Sequence, residues 1–280
     1  MTWARRSVVL VLLVGVCGAA PCLAQNAATP AQPVLTPQEM EDFLLRAPIV
    51  AKKGRLKGVT NAQRVTLSDG RVTHDAQVQD VDISKAIFEV GPKNTEINFK
   101  DTYRYNIAGY RLSILLGLDN VPMSVQRTVD GKPAAVTWWI DDVMMEEGER
   151  QKKKVVGPNP ARTSGYIHIM RVFDELIQNR DRNAGNILWT RDWTMWLVDH
   201  TRAFRLGKDL LKPELLERAE RTLLERMRGL TAPALADAMG ESLTKQEIDA
   251  LLARRDVIVT LFDGKIAQRG EATVLYTRAR

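Results

Sequence analysis

Both cysteines of the 280-residue chain, Cys17 and Cys22, fall within its first 24 residues. Beyond them the chain can form no disulfide, present no thiolate to a metal and use no cysteine nucleophile. Histidine is nearly as scarce. His74, His168 and His200 are scattered without an HxxxH spacing, which argues against zinc. No GxSxG, HExxH, P-loop or GxGxxG run is present, which disfavours the common hydrolase and Rossmann readings. The one apolar run near the start, Val8 to Val16, is shorter than the ~20 residues that span a bilayer.

That run follows Arg5 and Arg6 and leads to Cys22-Leu23-Ala24, the three regions of a secretory signal peptide. Cleavage near Ala24 is expected, with an uncleaved anchor as the alternative. The mature chain is then expected to be periplasmic or secreted, with no transmembrane segment. Its formal charge falls from +6 to +4 with the loss of Arg5 and Arg6, and acidic and basic residues are mixed throughout. That balance argues against a dedicated nucleic-acid partner.

Residues 25–38, rich in Ala, Pro, Gln and Thr, read as a flexible leader. Order is expected from Glu39, with a short helix docking Phe43 and Leu44. The segment 60–79 alternates β-branched and polar residues around Ser68-Asp69-Gly70, which predicts a hairpin. Ile107, Tyr110, Ile114 and Leu115 predict a helix capped by Asp101 and stopped by Gly117. Two strands turning at Asp130-Gly131-Lys132 complete a small sheet over 39–142. The remainder, 143–280, reads as mainly helical, with helices near 212–229, 231–239 and 244–268. The run from Glu146 to Lys154 reads as a solvated charged linker in preference to a phosphate-binding loop. Trp139 is placed in the core in preference to stacking on a base.

The segment NRDRNAGN, residues 179–186, carries the chemistry. A helix runs up to Asn179, Asp181 opens a polar loop, and a hairpin turning at Arg191-Asp192 returns the chain to Asp199. The two ends of a hairpin meet, so Asn186 and Asp199 are expected side by side with Asp181 facing the same space. Two carboxylates and an amide oxygen suit a hard divalent cation such as Mg2+ or Mn2+. A catalytic Asp, an Asn five residues later and a metal-binding Asp after a hairpin are recurring kinase equipment.

FDELIQNRDRNAGNILW followed by WLVDHTRAF resembles the atypical kinases: the phosphatidylinositol kinases, the HipA-type kinases and, most closely, the secretory-pathway kinases related to Golgi casein kinase. Upstream, YNIAGYRLSILLGLDNVPMSV resembles their E-I-A-A-[FY] helix and the VP strand after it. A bacterial group of secreted proteins is similar as well. The resemblance implies an α+β, two-lobed kinase-like fold, with a small β-rich N-lobe carrying one main helix and a larger helical C-lobe. It implies Asp181 as catalytic base, Asn186 and Asp199 on Mg2+ or Mn2+, ATP or another nucleotide as co-substrate, and Arg182 positioning the loop. The acceptor stays open among a protein hydroxyl, a sugar and a lipid headgroup.

The pattern departs from the family at two places. Gln79 stands where the resemblance implies a phosphate-binding Lys, and Asn106 where it implies the paired Glu. Replacing both avoids a stranded buried charge and lets the two amides bond. A kinase-fold scaffold without catalysis is therefore the alternative to a catalyst, and Lys57, Lys85 or Lys100 are the other cations that could reach the nucleotide. A cytoplasmic HipA-like kinase with a misread N-terminus is the third reading.

Overall fold

Thr36 and Glu39 form a capping box, each side chain accepting from the other's backbone amide, and so begin α1 (Pro37–Arg46) two residues before the expected Glu39. The structure, a computed structural model, describes residues 33–55, 62–91 and 94–278. The expected signal peptide, most of the leader and Lys57 lie outside the described residues. As expected, α1 buries Phe43 and Leu44, each such burial contributing roughly 1.5–3 kcal/mol.

A strand not anticipated from the sequence follows, β1 (Ile49–Arg55), and pairs with β2 (Gln63–Ser68). The turn from β2 to β3 (Thr73–Gln79) is the expected Asp-Gly reversal. Gly70 takes φ +84°, and the Asp69 carboxylate accepts from the Arg71 and Val72 amides at 2.9 and 2.7 Å.

A second hairpin then appears where none was expected, β4 (Asp82–Gly91) with β5 (Asn94–Thr102). It corrects the expectation for Asp101. That residue lies within β5, opposite Ile83, and helix α2 (Arg104–Leu116) starts three residues later with Tyr103 as a cap that makes no side-chain bond. Gly117 does end α2, at φ +69°. Nine residues of α2 are buried, so this helix is a core element with neighbours on most sides. Strands β6 (Ser124–Val129) and β7 (Lys132–Trp138) complete a five-stranded antiparallel sheet in the order β1-β2-β3-β7-β6.

Beyond Asp142 the second half begins with β8 (Val143–Glu146) and α3 (Glu147–Lys152). The charged run is not wholly a solvated linker. Glu147 is buried and accepts from both Arg150 and the Trp189 indole, although Lys152, Lys153 and Lys154 are exposed as expected. Then come α4 (Pro160–Ile177), β9 (Ile187–Thr190) and β10 (Met195–Leu197), and the sheet order β10-β9-β8 places the expected hairpin beside β8.

The expected helix at 212–229 is shorter. Residues 213–215 form a single 3-10 turn, and Ala219–Glu220 form a short strand, β11. Only Arg221–Arg228 are helical, as α5. Helices α6 (Ala232–Met239) and α7 (Lys245–Arg269) fall where expected, α8 (Glu271–Val274) follows, and β12 (Leu275–Tyr276) pairs in parallel with β11.

One apolar core runs from Leu44 and Val65 through Leu112 of α2 to Phe173 of α4 and Leu251 of α7. Polar contacts join the halves as well. Glu247, at the start of α7, accepts from Lys100 Nζ at 2.5 Å and from the Tyr105 hydroxyl at 2.6 Å. Burial pushes the Glu247 carboxyl up, but those two bonds, the Thr244 amide and the Lys100 charge together hold the group below its ordinary value. Among the described residues, no helix is long and apolar enough to cross a membrane.

Candidate active site

The loop after α4 is built around one guanidinium. Arg182 donates to both oxygens of Asp174 on α4 at 3.0–3.2 Å and to the carbonyls of Asn186 and Val198 at 2.9 and 2.7 Å. Because Val198 precedes Asp199, this side chain ties α4 to both arms of the expected site. Asn179 adds to the framework, donating to Asp174 at 3.2 Å and accepting from the Asp181 amide at 3.0 Å. A Val198 amide bond to the Asn186 carbonyl, 3.1 Å long, extends the hairpin ladder to its open end.

Asn186 and Asp199 therefore lie side by side, and both line a cavity of about 630 Å³ between the five-stranded sheet and β8–β10. Its upper wall includes Ala62, Pro122 and Trp139, and its floor includes Leu188 and Val198. Trp139 is half-buried on that wall, with the Arg64 guanidinium 4.1 Å from its ring centre, and so does not belong to the core where the sequence placed it. Trp138, its neighbour, takes the packing role, stacking on His74 at 3.8 Å.

Asp181 does not line the cavity. Asn186 Nδ2 donates to its carbonyl at 3.0 Å, which places it one step outward, and its carboxylate is 41% exposed beside Arg202. The three expected residues are thus contiguous, two on the cavity wall and one outside it.

Asp199 takes φ +54°, the left-handed region that short polar side chains tolerate best. Burial pushes its carboxyl above the ordinary value, partly offset by Thr201, whose hydroxyl donates at 3.0 Å. Asp101, which sequence reasoning treated as a helix cap, reaches the same region through a Thr102 amide bond to the Thr201 carbonyl. It is 7% exposed, and its Oδ1 has no hydrogen-bond partner. Burial raises its pKa, and the neighbouring Asp199 raises it further.

Gln79 and Asn106 meet, with Asn106 Nδ2 donating to Gln79 Oε1 at 2.7 Å. Asn106 Oδ1 accepts from the His200 amide at 2.7 Å, so one amide joins β3, α2 and the residue after Asp199. His200 itself is fully enclosed and held well below its ordinary pKa by burial, which leaves a neutral ring. Gly109 makes room for that ring, since a Cβ there would sit 3.3 Å from His200 Cγ.

The donor chemistry fits a hard divalent cation in part. Asn186 spends its NH2 on the Asp181 carbonyl, leaving the amide oxygen for the cleft beside the Asp199 carboxylate. Among the described residues, no group of three or more carboxylate, His or Cys side chains is placed to hold an ion unaided. Phosphate oxygens would have to complete the shell, as is usual for Mg2+.

Among the described residues, no cation of the lobe replaces the expected Lys at Gln79. Lys100 is bonded to Glu247, and Lys85 lies 4.8 Å from the Phe88 ring centre on the outer hairpin. Arg64, the one cation among the described residues lining the cavity, is ion-paired with Asp75.

No protein-family model matches the chain, and no curated protein matches it by sequence. Solved structures do. The structure of hydra Fam20 with sugar superposes with a TM-score of 0.65 at 13% identity, covering 87% of this chain and 93% of that one. The Golgi casein kinase superposes at 0.58 and 14% identity, covering 88% and 80%. A Helicobacter pylori proinflammatory kinase, CtkA, overlaps at 0.48 and 11%, covering 78% and 96%. The first two likenesses show the class of fold, a two-lobed kinase-like architecture. Within that class, the fold is similar to those of hydra Fam20 and the Golgi casein kinase.

Proposed function

We propose that this chain is a metal-dependent phosphotransferase of the periplasm or another extracytoplasmic space, moving the terminal phosphoryl group of a nucleotide to a hydroxyl. The observation that carries the reading is the placement of Asn186 and Asp199 together on the wall of a nucleotide-sized cleft, with Asp181 just outside it. In the reaction, Asp181 accepts the proton of the acceptor hydroxyl. The acceptor oxygen bonds to the terminal phosphorus, the bridging P–O bond breaks, and its electron pair leaves with the nucleoside diphosphate. Asn186 and Asp199 would hold a divalent metal, which would supply charge neutralisation for the phosphates. Arg182 holds the loop. Trp139 offers a face for the base.

A sugar hydroxyl is the first acceptor to try, because the hydra relative in fold is a structure with sugar; a protein hydroxyl is the second. Calorimetry of the mature chain with ATP tests the reading, in Mg2+, in Mn2+ and without metal. Metal-dependent binding that disappears in Asp199→Ala supports it. A well-folded chain that binds no nucleotide sinks it.

The second reading is a kinase-fold scaffold without catalysis, and the Gln79–Asn106 bond favours it. Two neutral amides close the place where the resemblance implies a charged pair. A scaffold keeps its partner when Asp181 is replaced, whereas a catalyst loses nearly all turnover in Asp181→Ala.

A further inference from the structure

We propose that Arg202 is the cation this chain sets against the transferred phosphoryl group, supplying from the second half of the molecule the charge that Gln79 lacks. The inference rests on the phosphotransfer reading above.

Arg202 lies three residues after Asp199, and its Nη1 is 3.8 Å from Asp181 Oδ2. That is an ion-pair distance and too long for a hydrogen bond. Its Nη2 donates to Glu96 on β5 at 3.1 Å, and its guanidinium lies 5.2 Å from the ring centre of Phe99. Its Nε is buried without a partner. Glu96 and Phe99 thus hold the group in place while leaving donors uncommitted.

Arg202 faces Asp181 and Asp101 as well as Glu96, and it shares Glu96 with a second guanidinium. Arg205 also lies over Phe99 at 5.2 Å and approaches the same Glu96 at 2.6 Å, as an ion pair without hydrogen-bond alignment. Two guanidiniums therefore share one carboxylate. Arg205 is 6% exposed and gives its Nη1 to the Asn98 carbonyl, so it is the buried member. Arg202 is 25% exposed, on the side of Asp181.

Three other cations near the site, among the described residues, are committed elsewhere. Arg182 is spent on Asp174 and two carbonyls, Arg64 on Asp75 and Lys100 on Glu247. Arg202 alone of these combines proximity to Asp181 with a partner that it must share.

During transfer, negative charge spreads over the three equatorial oxygens of the phosphoryl group, which passes between the leaving bridge oxygen and the acceptor oxygen beside Asp181. A planar guanidinium fixed next to Asp181 meets those oxygens without reorganising. No atom moves to or from Arg202; its role is electrostatic.

The test uses the full mature chain and two probes, Mn2+ with ADP and Mn2+ with the β,γ-imido analogue of ATP, which keeps the terminal phosphoryl group. Arg202→Gln is expected to weaken the triphosphate analogue about tenfold, the worth of one charge-assisted bond, and to leave ADP unchanged. Arg202→Lys, which keeps the charge and loses the fork, should fall between. Glu96→Gln breaks the same ion pair but keeps the cation, so its triphosphate affinity should not drop. Equal losses on both probes in Arg202→Gln, or a loss in Glu96→Gln matching it, would reduce Arg202 to a structural tie and overturn the proposal. Failure of the unaltered chain to bind either probe overturns the phosphotransfer reading, and the proposal falls with it. The two failures are told apart by the unaltered chain alone.

Discussion

Asn106 donates to Gln79 at 2.7 Å, joining α2 to β3 with two buried, neutral amides. The bond does what an ion pair at these positions would do for the lobe's shape, without desolvating two charges.

It follows that charge at either position alone is costly. Gln79→Lys or Asn106→Glu should each cost about 3–5 kcal/mol, the penalty of an uncompensated buried charge. The double variant should recover most of that loss. Chemical denaturation of the four proteins gives the coupling directly. Additive losses would show that the two positions do not face each other in solution.

Arg182 makes a sharper case. Its side chain is 8% exposed and its partner Asp174 is 13% exposed, so breaking the pair leaves a buried carboxylate. Arg182→Ala should cost about 3–5 kcal/mol. Arg182→Lys should keep part of the stability, yet it cannot reach Asp174 and both carbonyls together and should weaken metal–nucleotide binding. Thermal melts with and without Mn2+–ADP separate the two effects. Unaltered nucleotide affinity in a folded Arg182→Lys would remove this residue from the site.

Lys100 is predicted to be a latch and not a nucleotide ligand. Its ammonium bonds Glu247, which also takes the Tyr105 hydroxyl and caps α7. Lys100→Ala and Glu247→Ala should both lower stability, the second by more, at about 2–4 kcal/mol for the loss of a buried multi-bonded carboxylate. Neither should change the affinity for ADP. A Lys100→Ala chain with normal stability and lost ADP binding would reverse the assignment.

Much of this was legible before any coordinates, and the reasons differ by element. The 63–79 hairpin announced itself because Asp69-Gly70 fixes a turn locally and the flanking alternation fixes its faces. The adjacency of Asn186 and Asp199 followed from the geometry of a hairpin alone. The β4–β5 hairpin did not show, because its strands bury little: Ile83, Ile87 and Ile97 are all exposed, so no alternation points to a core. Pairing of Asp101 with Ile83 then displaced the start of α2, a long-range effect that a capping signal cannot anticipate. The helix expected at 212–229 failed likewise, since Ala219–Glu220 pair with residues 275–276, more than fifty positions away. Arg202 stood in view within WLVDHTRAF, but nothing in the sequence indicated that Glu96 and Phe99 would hold it beside Asp181.

Asp199 should trade stability for function, and pH reveals it. Burial holds its folded carboxyl above the ordinary value of 3.8. The folded state then binds more protons than the unfolded one in the window that opens at that value. Stability falls as pH rises through the window and stays lower beyond the folded pKa. Asn removes the ionisation, keeps an acceptor for Thr201 and tolerates the left-handed backbone. Asp199→Asn is therefore expected to raise Tm at pH 7 by about 2–4 °C, the shift that ~1 kcal/mol gives a chain of this size. The gain should shrink to nothing as pH falls below 3.8, where the native Asp becomes protonated in the unfolded as well as the folded state. Saturating Mn2+ and ADP should invert the order at pH 7, because ligand binding stabilises only the protein that holds it. A variant less stable than the native chain at pH 7 without ligand would mean that Asp199 is not strained by burial, and a ligand-induced gain equal in both proteins would mean that it does not hold the metal.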